Sequence, residues 1–261
     1  MEHSFDNIIF SQIENHIATV TINHPPVNVL TARALAALGA CFDALVAEND
    51  LRCVILTGTG RSFIAGGDLS EFKGLSEAAF LSLIQNVHTV LNKIEQFPAP
   101  VIAAINGYSI GGGLELALTC DIRLAAEEAL MSLPEASVGL MPSYGGTARL
   151  AKLIGPAQAK YLIYTGERFG AAEAYRLGIV QEVCPSDQLL PRAKALAAQI
   201  AAKAPIPLRF VKSVLHRAQG STMEEALAME VNAALETANT KDLQEGVSAF
   251  LEKRKPQFHN S

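Results

Sequence analysis

No apolar run in this 261-residue chain approaches the roughly 20 residues that a membrane-spanning helix needs. The opening residues, Met1-Glu2-His3-Ser4-Phe5-Asp6, carry neither a basic n-region nor an apolar h-region, so no secretory signal is read there and a cytoplasmic location is expected. Cys41, Cys53, Cys120 and Cys184 are far apart and form no CxxC; Cys53 and Cys120 lie in apolar runs and read as buried thiols of a reducing compartment. His3, His16, His24, His88, His216 and His259 are scattered, with no HExxH and no Cys/His cluster, so no metal site is expected. Basic excess is absent too. With 21 Lys and Arg against 26 Asp and Glu, the net charge of −5 leaves no basic face for counterion release from nucleic acid. Any anionic ligand must therefore meet a local cluster of Lys or Arg. Low-complexity stretches and internal repeats are also missing.

What is present is core-forming material, since 49% of the residues are hydrophobic. Ile8-Ile9-Phe10 and the stretch from Ile17 to Ile22 are β-branched and separated by polar turn residues, as in a hairpin. From Thr31, Leu35, Leu38, Phe42 and Leu45 recur at helical spacing, and Cys53-Val54-Ile55-Leu56 reads as a buried strand. Asp68-Leu69-Ser70-Glu71 matches a capping box ahead of a long helix carrying Phe80, Ile84, Val87, Leu91 and Ile94, which Pro98 and Pro100 stop. Further strands are read at Val101 to Ile105, Ile122 to Ala125 and Ile179 to Val183, and none beyond Asp187. The composition then shifts from α/β to all-α. A soft boundary near residue 190 divides an α/β core, 1–190, from a helical region, 191–261, and these helices equally well complete a single domain.

The candidate chemistry gathers at two glycine turns. Gly111-Gly112-Gly113 opens a helix and leaves main-chain N–H groups unobstructed, yet no Gly-Lys-Ser/Thr and no GxGxxG spacing supports a phosphate cradle. Ala65-Gly66-Gly67-Asp68 also follows a strand, and two amides converging on one oxygen make an oxyanion hole. Asp68 is accounted for as a cap. Glu115, among Leu114, Leu116, Ala117 and Leu118, is a carboxylate out of pattern, although the helix N-terminus also favours it. Glu135 after Pro134 says little alone. Gly107-Tyr108-Ser109-Ile110-Gly111 satisfies GxSxG, which would make Ser109 a nucleophile, but the histidines downstream are His216, in a helical run, and His259, at the end.

Three ordered motifs resemble the enoyl-CoA hydratase (crotonase) family: residues 62–68 (SFIAGGD), residues 106–115 (NGYSIGGGLE) and Leu133-Pro134-Glu135. Gly145-Gly146-Thr147-Ala148-Arg149-Leu150 and the tail Phe250-Leu251-Glu252-Lys253-Arg254-Lys255 extend the likeness over nearly the whole chain. The resemblance implies an α/β fold, a crotonase-like spiral of ββα turns with a C-terminal helical trimerisation region, assembling as a homotrimer or dimer of trimers. It implies catalytic roles for Glu115, Glu135 and the amides of Gly67 and Gly112, and substrate-binding positions at Ala65, Asp68, Leu69, Ser70, Tyr144, Phe250 and Lys253. The implied substrate is an acyl-CoA, with coenzyme A entering as part of it and no separate cofactor; no nucleic-acid or membrane partner is expected.

Adding water to C3 of an enoyl thioester builds negative charge on the thioester oxygen, which preorganised amides stabilise. Water also needs a base and C2 a proton, which two carboxyl groups of different pKa supply, Glu135 being read as the nearer to proton delivery. Relatives that isomerise or hydrolyse CoA esters usually change one or both carboxylates, so a pair favours hydration over an isomerase, an acyl-CoA hydrolase or a non-catalytic crotonase-like subunit. Three departures stand out. Pro25-Pro26-Val27-Asn28 lacks a lysine common after the first hairpin, Ser70 replaces another, with Lys253 expected to compensate, and Tyr144 in Pro142-Ser143-Tyr144-Gly145 replaces a small residue and narrows the acyl pocket.

Overall fold

The computed structural model describes residues 2–261. Eleven strands form two sheets among the described residues. The larger has the order β1 (Glu2–Phe5), β2 (Ile9–Glu14), β3 (Ile17–Ile22), β4 (Cys53–Gly58), β6 (Val101–Ile105), β8 (Ile122–Ala126) and β11 (Glu182–Cys184). The smaller has the order β10 (Phe169–Gly170), β9 (Leu130–Ser132), β7 (Tyr108–Ile110) and β5 (Ser62–Ile64). From β3 to β11 the larger sheet is parallel, and its first three strands are an antiparallel meander. Consecutive pairs, β4 with β5, β6 with β7 and β8 with β9, each give one strand to each sheet, so the chain winds through repeated turns of a spiral.

The central strands explain their own burial. Cys53 to Leu56 and Val101 to Ile105 have no accessible surface, as continuous apolar runs in a parallel sheet covered on both faces require. Helix α1 (Ala32–Val46) starts where the Thr31 hydroxyl accepts the Ala34 N–H and buries Leu35, Leu38, Phe42 and Leu45; Phe42 meets Phe97 edge to face, with ring centroids 5.3 Å apart. α2 (Glu77–Glu95) packs on α1, while α3 (Gly112–Ala117) is buried along its length. Then follow α4 (Gly146–Ile154), α5 (Pro156–Thr165), α6 (Ala171–Arg176), α7 (Leu189–Ala201), α8 (Pro205–Arg217), α9 (Met223–Ala238) and α10 (Lys241–Leu251). α7 lays Ala193, Ala197 and Ala201 against the larger sheet. By contrast, α8 and α9 leave Val211, Leu215, Leu227, Val231 and Leu235 more than half exposed. Cys53 and Cys120 are buried thiols, as their apolar surroundings indicate.

Two readings are corrected here. Asp68 caps a short 3-10 turn, Leu69–Phe72, and the long helix begins only after Ser76, whose hydroxyl accepts the Ala79 N–H. Glu71 does not close a box on Asp68. Its carboxylate reaches back to the Ala32 N–H, 3.1 Å from each oxygen, and so ties this turn to the start of α1. The strand read at 179–183 starts three residues later and ends at Cys184, because the Ile179 and Val180 amides both donate to the Ala174 carbonyl in a turn that closes α6.

Candidate active site

Both glycine turns follow strands of the smaller sheet, one after β5 and the other after β7, and these strands are paired. The turns are therefore neighbours. A strap formed by residues 27–32 fixes the first: the Ala65 amide donates to the Val27 carbonyl at 3.2 Å, and the Leu30 amide to the Gly66 carbonyl at 2.9 Å. Asn28, with φ of +57°, donates through its side-chain amide to the Ser62 and Thr59 carbonyls at 2.8 and 3.0 Å. This buried asparagine is a structural staple of the strap.

The second turn is set by Gly111, whose φ of +53° and ψ of −121° suit a residue without Cβ. Its amide donates to the Ser132 carbonyl at 2.8 Å, while the Gly112 N–H, in the first turn of α3, has no acceptor within the helix. Gly113 lets α3 sit directly on β5: a Cβ there would lie 2.2 Å from the Ile64 carbonyl oxygen.

Glu115 is 2% exposed. Its Oε1 accepts the Tyr144 and Gly146 amides, both at 2.8 Å, and Gly146 must be glycine because its Cβ would lie 2.7 Å from Glu115 Cγ. Burial raises the Glu115 pKa to about 8; the two amides pull the other way, the Gly146 amide more strongly, and the Glu135 charge adds to the rise. Glu135, at the start of a 3-10 turn, Glu135–Val138, also has its pKa raised by burial. Its Oε2 is buried without a partner among the described residues, and its Oε1 lies 2.7 Å from the place a Cβ at Gly111 would take. Two interacting carboxyl groups thus flank one glycine turn.

Tyr144 joins the pieces. The same ring atom, Cε2, lies 4.0 Å from the Cβ position at Gly67 and 3.2 Å from that at Gly112, and the hydroxyl is 3.7 Å from the former. Gly67 and Gly112 therefore face one ring, with Glu115, Glu71 and Glu135 near enough to act on its phenol electrostatically.

Residues 12–261 match the family model described as enoyl-CoA hydratase/isomerase. The chain belongs to this family. It is 42% identical over 255 residues to the putative enoyl-CoA hydratase/isomerase YngF of Bacillus subtilis, covering 97% of this chain and 98% of that protein. It is 37% identical over 254 residues to the short-chain-enoyl-CoA hydratase of Clostridium acetobutylicum, covering 96% of each. The crystal structure of an enoyl-CoA hydratase from Bacillus anthracis superposes with a TM-score of 0.93 at 38% identity, covering 97% of this chain and all of that one. The crotonase-type α/β architecture expected from the motifs is accordingly the fold of this chain.

The other positions singled out in the sequence divide in two. Ala65 and Asp68 are half-buried beside the first turn, with Leu69 and Ser70 exposed next to them. Asp68 caps that turn by accepting the Ser70 N–H at 2.9 Å and its hydroxyl at 2.6 Å, which hold its carboxyl below the usual range. Phe250, 82% exposed, and Lys253 stay on the C-terminal segment, whose end is held at the start of β4 by Arg52 donating to the Phe258 carbonyl at 2.8 Å. A single chain does not bring them to the glycine turns. Ser109 lies fully buried in β7, its hydroxyl without a partner among the described residues, and His216 faces Glu95 instead. The nucleophile-elbow reading fails on both counts, because an elbow exposes its serine to a histidine.

Two residues were missed. Arg149 donates to the Tyr144 carbonyl at 3.0 Å and pairs with Glu95 at 2.7 Å, while His88 Nε2 lies 2.6 Å from the Ser143 carbonyl. They anchor to α2 the loop whose amides hold Glu115. Arg149 stood inside a quoted motif, but nothing in its spacing named α2 as the partner.

Proposed function

We propose that the protein is an enoyl-CoA hydratase, adding water reversibly to a 2-enoyl-CoA to give a 3-hydroxyacyl-CoA. The observation that carries this reading is a buried carboxyl group, Glu115, with the half-buried Glu135 near enough to raise its pKa, beside two glycine turns whose Gly67 and Gly112 pack on one tyrosine ring. In the proposal those two amides receive the thioester oxygen. Glu115 and Glu135 hold the water, take its proton as oxygen bonds to C3, and return a proton to C2. Ala65, Asp68, Leu69 and Ser70 border the coenzyme A path, and Phe250 and Lys253 serve a neighbouring subunit's ligand. Coenzyme A arrives within the substrate. Incubation with crotonyl-CoA in 18O-water tests this: bleaching of the conjugated thioester with one solvent oxygen in the 3-hydroxyacyl product is expected. Release of free thiol or migration of the double bond in its place would overturn it.

The pH dependence follows from the pair. With burial raising Glu115 to about 8, its carboxyl carries a proton at neutrality, and in the proposal Glu135 is its ionised partner. kcat/KM is expected to be bell-shaped when measured from about pH 4 to about pH 10, falling in acid when both groups are protonated and above about pH 8 when both are ionised. A flat profile through the upper limb contradicts it. The folding contribution has its own sign: raised carboxyl pKa values stabilise fully below the unfolded value and lose that contribution as pH rises through the folded one.

We further propose assembly as trimers through the apolar face of α8 and α9. Leu227, Val231 and Leu235, spaced four apart on α9, are 51, 59 and 59% exposed, more contiguous apolar surface than a free helix face warrants. Light scattering is expected to give a mass of three or six times 27.8 kDa. Leu227→Lys with Leu235→Lys is expected to lower it, and a monomeric wild type rejects the assembly.

A further inference from the structure

The loop bearing Tyr144 has little freedom to retreat. The Tyr144 amide is held by Glu115 at 2.8 Å, its carbonyl by Arg149 at 3.0 Å, the Ser143 carbonyl by His88 at 2.6 Å and the Pro142 carbonyl by the Thr147 hydroxyl at 2.9 Å. Only side-chain rotation can then move the ring. That ring is 7% exposed and packs where Gly67 and Gly112 lack side chains, its Cδ2 3.1 Å from the Gly112 Cβ position with Leu30 Cδ2 at 3.6 Å from the same point. The ring's contribution rests on that close packing.

We infer that Tyr144 is the residue that sets the upper size of the acyl group, making this chain selective for short, unbranched enoyl thioesters. The inference rests on the hydratase reading. Water held by Glu115 must reach C3, and the residue whose N–H holds that same Glu115 oxygen carries the ring. In this inference the acyl chain leaves C3 past that ring, an aromatic wall whose backbone is pinned at both ends. A packed wall of this kind discriminates because extra methylenes must displace it, whereas an open pocket gains from each one.

The test uses the whole assembled enzyme and two readouts. kcat/KM is measured for crotonyl-CoA, 2-decenoyl-CoA and 3-methylcrotonyl-CoA, and binding of the unreactive butyryl-CoA and decanoyl-CoA is measured by calorimetry. Wild type is expected to favour the four-carbon over the ten-carbon ligand by about 10-fold or more, in line with what a hydrophobic pocket achieves per group. Tyr144→Ala is expected to shift both ratios towards the long chain by about 10-fold or more, while Tyr144→Phe, which keeps the ring, retains the wild-type ratios. Unchanged ratios in Tyr144→Ala, with its folding verified by circular dichroism, overturn the inference. Loss of hydration in all proteins overturns the hydratase reading instead, and the calorimetric ratio still decides whether the ring limits the pocket.

Discussion

Replacing Glu115 by Gln is expected to lower kcat for crotonyl-CoA hydration by roughly 10²–10⁴-fold, the contribution that positioned acids and bases make. The amide side chain retains a carbonyl oxygen for the Tyr144 and Gly146 N–H groups that Glu115 Oε1 now accepts, so the loop and the fold have no reason to change. Glu135→Gln is expected to cost a comparable factor, since its Oε2 has no partner among the described residues whose loss would disturb the structure. The amides at Gly67 and Gly112 survive in both variants. Binding of butyryl-CoA should therefore stay near the wild-type value while kcat collapses. In the proposed reaction the pair works on one water and one proton, so the double variant is expected to be little worse than either single one. Stopped-flow turnover with calorimetric binding checks the set, and undiminished turnover in either single variant would sink the proposed roles.

Gly113→Ala is expected to produce a large loss of stability. Helix propensity favours alanine over glycine by about 1 kcal/mol, yet here the added carbon would lie 2.2 Å from the Ile64 carbonyl oxygen and 2.9 Å from Ile64 Cβ. Neither atom is the free end of a flexible side chain, so α3 or β5 must move. Overpacking of this kind costs about 3 kcal/mol or more, a fall in Tm of roughly 6–12 °C for a domain of this size. Activity should drop too, because a displaced α3 carries the Gly112 amide with it. Gly170→Ala is the control, with ordinary extended backbone and nothing within 4 Å of the new carbon, and its Tm should stay within about 2 °C. Scanning calorimetry separates the two, and an unshifted Gly113→Ala melting curve refutes the steric account.

The elements legible in the sequence are those whose burial imposes a composition. β4, β6 and β8 announce themselves as apolar runs, and α1 through Thr31 and its periodic leucines, because each is long enough for a period to repeat. The smaller sheet was hidden. β5, β7 and β9 have three residues each, too few for alternation to register, and β7 lies inside a motif that could equally have been a hydrolase turn. Glu115 was visible because a carboxylate amid leucines is anomalous. Glu135 carried no such signal until the chain's winding set it against Gly111. The anchors Arg149 and His88, and the reassigned Glu71, depend on contacts between elements far apart in sequence, which no local pattern records.

The two glycine turns divide the work between kinds of atom. Donors supplied by main-chain nitrogen cannot be deleted by changing a codon to any residue but proline; a substitution at position 67 or 112 alters the shape around the amide and leaves the amide in place. In the proposed reaction the ability to hold a developing negative charge is thus insulated from most mutations. The side chains at 115, 135 and 144 have no such protection. A scaffold arranged in this way can exchange one reaction for another, or one substrate length for another, by a few replacements that leave its winding untouched.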